Sequence, residues 1–168
     1  RSATLAVALL TAALAPSTVS AQEFVIGDLG GDLFGSSVRG VGDLNNDGFE
    51  DFAVGAPGND AIGSNAGKVY IYFGMAQNTP VTPNLTLTAG DGGDQFGFSV
   101  AGIGRFNNDA FDDIAVGAPR SDNGGTGRGR VYVFYGGKPM NTTPELTLAG
   151  QQGGEHFGWA VDGDCDFN

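Results

Sequence analysis

The chain has 168 residues, of which 30 are Gly, with 19 Asp+Glu against 8 Lys+Arg and a formal net charge of −11. Gly at this density argues against a helical bundle, since each one weakens a helix interior by about 1 kcal/mol, and the acidity argues against nucleic acid or an anionic membrane surface as a partner. A single Cys and a single His exclude an internal disulfide framework, a multi-cysteine metal site and a His-rich one.

The first predicted element is an address. Ala3 to Ala15 is an Ala- and Leu-rich run preceded by Arg1, too short for a membrane helix of roughly 20 residues. Val19-Ser20-Ala21 follows with small residues at both positions of a cleavage site. Residues 1–21 therefore read as a secretory signal peptide cut after Ala21, which places the remainder in a secreted, extracellular or cell-surface setting. No later apolar run is long enough to span a membrane.

Beyond it the chain repeats itself. Residues 34–57 read FGSSVRGVGDLNNDGFEDFAVGAP and residues 96–119 read FGFSVAGIGRFNNDAFDDIAVGAP, with 16 of 24 positions identical at an offset of 62. The lead-in Gly30-Gly31-Asp32-Leu33 recurs as Gly92-Gly93-Asp94-Gln95 and Gly153-Gly154-Glu155-His156. Repeat 1 is taken as 34–95, repeat 2 as 96–156, and a truncated repeat 3 as 157–168. Self-similarity at such a period marks an array of one supersecondary unit.

Each unit reads as four short strands. The first is Phe34 to Val38, with Phe34, Ser36 and Val38 on one face by the period of two. The second, Asp51 to Ala56, is closed by Pro57, which lacks the N–H for a further ladder bond. The third, Lys68 to Phe73, is aromatic and β-branched and apolar on both faces, as a sheet between two neighbours requires. The fourth is Leu85 to Thr88. Turn residues separate them: Asn45-Asn46-Asp47-Gly48, Gly58-Asn59-Asp60 and Asn78-Thr79-Pro80. The small pair Gly55-Ala56, repeated as Gly117-Ala118, suits close approach near a crowded axis. Four strands per unit predict an all-β fold, a β-propeller with one antiparallel blade per repeat. A propeller closes with about 4–8 blades, so further blades of the same chain are expected beyond Asn168. Phe24-Val25-Ile26 is expected to be the outer strand of the last of them.

The loop between the first two strands carries the chemistry. Asp43, Asn45, Asp47 and Asp51 place side-chain oxygens at positions 1, 3, 5 and 9, Gly48 at position 6 permits a sharp turn, and the Phe49 carbonyl is available at position 7. Hard oxygen ligands at this spacing suit Ca²⁺, which takes 6–8 of them. The loop is not an EF-hand, because position 12 is Val54 rather than Glu; Asp51 is expected to close the site. The second loop departs from the pattern, with Arg105 at position 1 and Ala110 at position 6. Asn107, Asp109, the Phe111 carbonyl and Asp113 remain, so weak or no calcium binding is expected, with the Arg105 guanidinium folding over Asp109 and Asp113. A third loop opens with Asp166 and Asn168.

Phe34-Gly35 with Gly55-Ala56-Pro57, and Phe96-Gly97 with Gly117-Ala118-Pro119, resemble the FG-GAP repeat. The resemblance covers essentially all of 24–168. It implies the blades of the N-terminal propeller of integrin α subunits and related secreted bacterial proteins, and a calcium hairpin in the loop at Asp43.

Other features read as structural. His156 stands where Leu33 and Gln95 stand and is expected at the surface. Cys165 replaces Gly42 and Gly104; whether it is paired stays open. Asp162 and Asp164 are expected to be solvated, as is the cluster of Arg120, Arg128 and Arg130. Asn84-Leu85-Thr86 and Asn141-Thr142-Thr143 are glycosylation sequons. No nucleophile, base and oxyanion donor stand together, so the chain is not expected to be an enzyme. The expected function is adhesion or recognition of an extracellular protein or glycan ligand, with structural calcium. The alternative is an accessory or catalytic propeller of a secreted hydrolase or lyase.

Overall fold

The computed structural model describes residues 30–76, 82–122 and 125–163. The expected signal peptide, the segment Phe24 to Ile26, Asp164, Cys165 and the third loop at Asp166 and Asn168 lie outside these residues. The described residues form eight strands and no helix. In chain order these are β1 (Ser37–Gly42), β2 (Asp51–Ala56), β3 (Lys68–Tyr72), β4 (Leu85–Leu87), β5 (Ser99–Gly104), β6 (Asp113–Ala118), β7 (Arg130–Phe134) and β8 (Leu146–Ala149). They build two four-stranded sheets in the orders β1-β2-β3-β4 and β5-β6-β7-β8, antiparallel throughout. The two sheets, here blade 1 and blade 2, are blades of a partial β-propeller.

The registers of the first three strands match residue for residue. Ser37 faces Gly55 and Val54 faces Tyr70 in blade 1; Ser99 faces Gly117 and Val116 faces Tyr132 in blade 2. Both first strands carry a register shift just before the loop, between Gly40 and Gly42 and between Gly102 and Gly104. Such an irregularity bends the strand end and re-aims the loop that follows.

The first strand begins later than its alternation suggests. Phe34 to Ser36 form a turn, in which the Ser36 N–H donates to the Leu33 carbonyl at 3.1 Å. Gly35 holds φ at 87° there, in the left-handed region. Phe34 is nonetheless buried, and its ring meets Tyr70 edge-on at 5.2 Å. An aromatic side chain enters the core from a turn, which the period-two reading mistook for a strand.

The third strand is buried on both faces, as its composition requires. Val69 and Ile71 join Leu87, Phe96, Val116 and Phe134 in a core that spans the two blades. Tyr70 and Tyr72 point the other way, to Phe34 and Phe52, and Phe52 stacks on Tyr72 at 4.6 Å. Each fully buried side chain of this size stabilises the fold by about 1.5–3 kcal/mol.

Gly55 and Gly117 are sites of close approach, as expected. A Cβ at Gly55 would lie 2.0 Å from the Gly97 carbonyl oxygen, and one at Gly117 would lie 2.0 Å from that of Gly158. What crowds them is the turn that opens the next repeat. The Ser37 hydroxyl donates to that Gly97 oxygen at 3.0 Å, and Ser99 repeats the bond to Gly158 at 2.8 Å. Parallel bridges Gly67–Phe96 and Gly129–Phe157 complete the same docking geometry at each junction.

Candidate metal centre

Residues 43–51 leave β1 through its bulge and return into β2. Asp43 and Asn45 are half-buried, Asp47 to Glu50 are exposed, and Asp51 is buried at the first position of β2. The Asp43 carboxylate accepts the amides of Asp47 at 3.0 Å and Gly48 at 2.7 Å. Asp47 accepts the Phe49 amide at 3.0 Å. Gly48 sits at φ 91°, which the tight return of the loop requires.

Asp51 has a task that the ligand pattern alone did not reveal. Its Oδ2 accepts the Leu44 amide at 2.8 Å and its Oδ1 accepts the Gly74 amide at 2.8 Å. It therefore ties the loop to the chain leaving β3. Burial raises its pKa to about 6, the two amides oppose that shift, and the charges of Asp47 and Asp43 add to it. Asp113 repeats the arrangement, accepting Asn107 N–H at 3.1 Å and Gly136 N–H at 2.9 Å, and burial raises its pKa also.

The decisive difference lies at position 3. In the first loop Asn45 Oδ1 is buried and has no hydrogen-bond partner. In the second, Asn107 Oδ1 accepts the Asp109 amide at 3.0 Å and Asn107 Nδ2 donates to Asp109 at 2.7 Å. Asp109 also accepts the Phe111 amide at 2.8 Å. Asn107 and Asp109 of the second loop thus satisfy one another, whereas the first loop leaves a hard oxygen buried without a partner. An unpaired buried acceptor costs about 1–3 kcal/mol. The donor set of the first loop, carboxylates with an amide and a carbonyl, has the chemistry of a Ca²⁺ site. Among the described residues no three His, Cys, Asp or Glu side chains converge on one point as a ready-made cluster; Asp43 and Asp51 are turned towards amides instead.

Arg105 does not fold over Asp109 and Asp113. Its Nε lies 4.0 Å from Asp112 Oδ1, with the Arg side chain largely exposed. Asp112 is better occupied on its other side, where Oδ2 accepts the Asp43 amide of blade 1 at 2.8 Å and its own amide donates to the Asp43 carbonyl at 3.1 Å. This residue, at position 8, joins the two loops across the blade junction. The acidic residue at position 8 of both loops, Glu50 and Asp112, was the available signal.

His156 is exposed, and its Nδ1 lies 3.1 Å from the Pro119 carbonyl. Arg128 and Arg130 are half-buried and engaged, rather than spread on a solvated face. Asp162 is exposed, as expected. No helix among the described residues is long and apolar enough to cross a membrane.

A family model for the FG-GAP repeat matches residues 34–72 and 96–134, the first three strands of each blade. Among curated relatives, integrin alpha-6 of Gallus gallus is 38% identical over 138 residues, covering 80% of this chain and 12% of its own length. Integrin alpha-5 of Xenopus laevis is 36% identical over 146 residues, covering 80% of this chain and 13% of its own. Integrin alpha-3 of Mus musculus is likewise 36% identical over 146 residues, at 81% and 13% coverage. The chain therefore spans about an eighth of the length of these relatives. With two matched repeats, two blades of matching register and this likeness, the chain carries two FG-GAP repeats and is similar to integrin α subunits.

Proposed function

We propose that this chain is part of a secreted, calcium-stiffened propeller that recognises an extracellular protein or glycan. The observation that carries the calcium is the buried, unpartnered Asn45 Oδ1, set against its satisfied counterpart Asn107. Asp43, Asn45, Asp47, the Phe49 carbonyl and Asp51 would hold the ion; Asn107, Asp109, the Phe111 carbonyl and Asp113 would bind it weakly or not at all. The ion's role is structural: it neutralises the carboxylates and gives Asn45 a partner. Asp43 also bonds through its backbone to Asp112 of blade 2, so ordering the first loop orders the rim across a blade junction. The recognition role rests on the likeness to integrin α subunits, and a non-enzymatic role follows the same likeness. Secretion rests on residues 1–21, and the repeats divide at 34–95, 96–156 and 157–168.

The test is calorimetric titration of calcium into the calcium-stripped full-length protein and its Asp43→Asn and Asp109→Asn variants. The reading expects the first substitution to remove a binding event that the second leaves intact. Equal loss from both, or loss from neither, contradicts it. Retention of a soluble extracellular ligand by the wild type, abolished by a calcium chelator, is the matching test of recognition.

A further inference from the structure

Away from the loops, the two blades differ at one buried polar cluster. In blade 1 Asn59 is 4% exposed and donates through Nδ2 to Asp32 Oδ2, with the Tyr70 hydroxyl at 3.5 Å. The repeat offset of 62 maps Asp32, Asn59 and Tyr70 onto Asp94, Ser121 and Tyr132. The backbone around them is conserved between blades: Gly58 N–H donates to Asp32 O at 2.9 Å, and Arg120 N–H donates to Asp94 O at 3.3 Å. Only the bridging side chain is shorter. Asp94 and Tyr132 are each 4% exposed and Ser121 is fully buried, yet neither Ser121 Oγ nor the Tyr132 hydroxyl has a hydrogen-bond partner.

Ser has its hydroxyl where Asn has its amide carbon, so the amide's oxygen and nitrogen have no counterpart in blade 2. One water molecule, whose share of liquid volume is about 30 Å³, is of the same order of size as the two atoms that Ser lacks. The polar groups around it point the same way. Asp94 Oδ2 and the Tyr132 hydroxyl are neighbours, since a methyl group placed at Gly90 would lie 2.3 Å from the first and 3.2 Å from the second; Asp94 Oδ2 also accepts the Asp91 amide at 3.1 Å. Buried waters typically make about three hydrogen bonds to groups that would otherwise go unpaired.

We infer that blade 2 holds a single buried water in place of the Asn59 carboxamide, bound by Ser121 Oγ, the Tyr132 hydroxyl and the Asp94 carboxylate. The Tyr132 hydroxyl donates to the water, and the water donates to Asp94 and to Ser121. This satisfies both orphan hydroxyls without moving the backbone. It makes Ser121 a solvent-bridged copy of the Asn59 clasp that links the Asp32 lead-in to β3. The inference is independent of calcium and of the recognition role.

A crystal structure of the full-length protein at a resolution that shows waters tests it directly, together with two exchange variants. The expected result is one water within hydrogen-bond distance of Ser121 Oγ and the Tyr132 hydroxyl, and none at the Asn59 site. Ser121→Asn expels the water and raises Tm by about 2–4 °C; Asn59→Ser lowers Tm and admits a water to blade 1. A dry site, a metal ion there, or a direct bond between Ser121 and Tyr132 overturns the inference. So does a folded Ser121→Asn protein with lowered Tm. If that variant does not fold, the wild-type density and the Asn59→Ser structure decide.

Discussion

Gly55→Ala adds one methyl group at the junction between blades. Its carbon would sit 2.0 Å from Gly97 O and 2.3 Å from Ser37 Oγ, where Cβ atoms are essentially never found within 3.0 Å. The Ser37 hydroxyl can rotate away, giving up its 3.0 Å bond to Gly97 O, a loss of about 1 kcal/mol. The Gly97 carbonyl cannot, because Gly97 stands at φ 85° and its amide is fixed to Gly117 O at 3.1 Å. Blade 2 must therefore retreat by about 1 Å, and a gap of that size forfeits a quarter to a half of the contact energy across it. Val69, Ile71, Leu87 and Phe96 meet there. At about 1.5–3 kcal/mol each, a quarter of their sum is about 2 kcal/mol. The expected destabilisation is about 3 kcal/mol. Denaturant unfolding of the full-length protein measures it, with Gly40→Ala as the control: Gly40 has nothing within 4 Å and no positive φ. That control should stay within about 0.5 kcal/mol of wild type. A Gly55→Ala effect below about 1 kcal/mol, or one equal to the control, would refute the account of blade docking.

Three further outcomes follow from the loops. Calcium at about ten times its Kd should stabilise the protein by about 1.4 kcal/mol per site, read as a Tm rise that a chelator reverses and Asp43→Asn abolishes. Arg105→Asp combined with Ala110→Gly should give the second loop its own calcium site, seen as an added binding event in calorimetry; an unchanged stoichiometry would show that more than positions 1 and 6 disables it. In chelator, stability should fall as pH rises from about 4 through about 6, because burial raises the folded pKa of Asp51 to about 6 and that of Asp113 in the same direction. The folded state then binds more protons than the unfolded one across that window, so stability is fully present below the unfolded pKa and is lost as pH rises through the folded one. Denaturation midpoints taken across that range check it; a midpoint that climbs with pH contradicts it.

Much of the fold was legible because the repeat printed it twice. Asp51 to Ala56 and Asp113 to Ala118 match β2 and β6 residue for residue, since a Pro closes each one. The two-faced β3 was equally plain from Val69, Ile71, Tyr70 and Tyr72. What failed was local geometry that alternation does not encode. Phe34 keeps the period of a strand, yet Gly35 at φ 87° turns the chain beneath it. Gly55 was rightly read as a close approach, but its neighbour is 42 residues further on, at Gly97, and no local pattern names such a partner. At the candidate site the ligand types were readable from spacing. The hydrogen bonds that single out Asn45 from Asn107 were not, because both loops spell Asn-Asn-Asp and differ chiefly at Arg105 and Ala110. Asp112 was passed over for the same reason: it serves blade 1 rather than its own loop.

The account turns on the first loop holding a divalent cation that the second does not. A crystal structure of the full-length protein grown with calcium, with anomalous scattering to mark the ion, tests this most directly. The account predicts an ion in the first loop with 6–8 oxygens at about 2.3–2.6 Å, Asn45 Oδ1 among them, and none between Asn107 and Asp113. An empty first loop with Asn45 Oδ1 satisfied by protein, or an ion held equally in both loops, would contradict it.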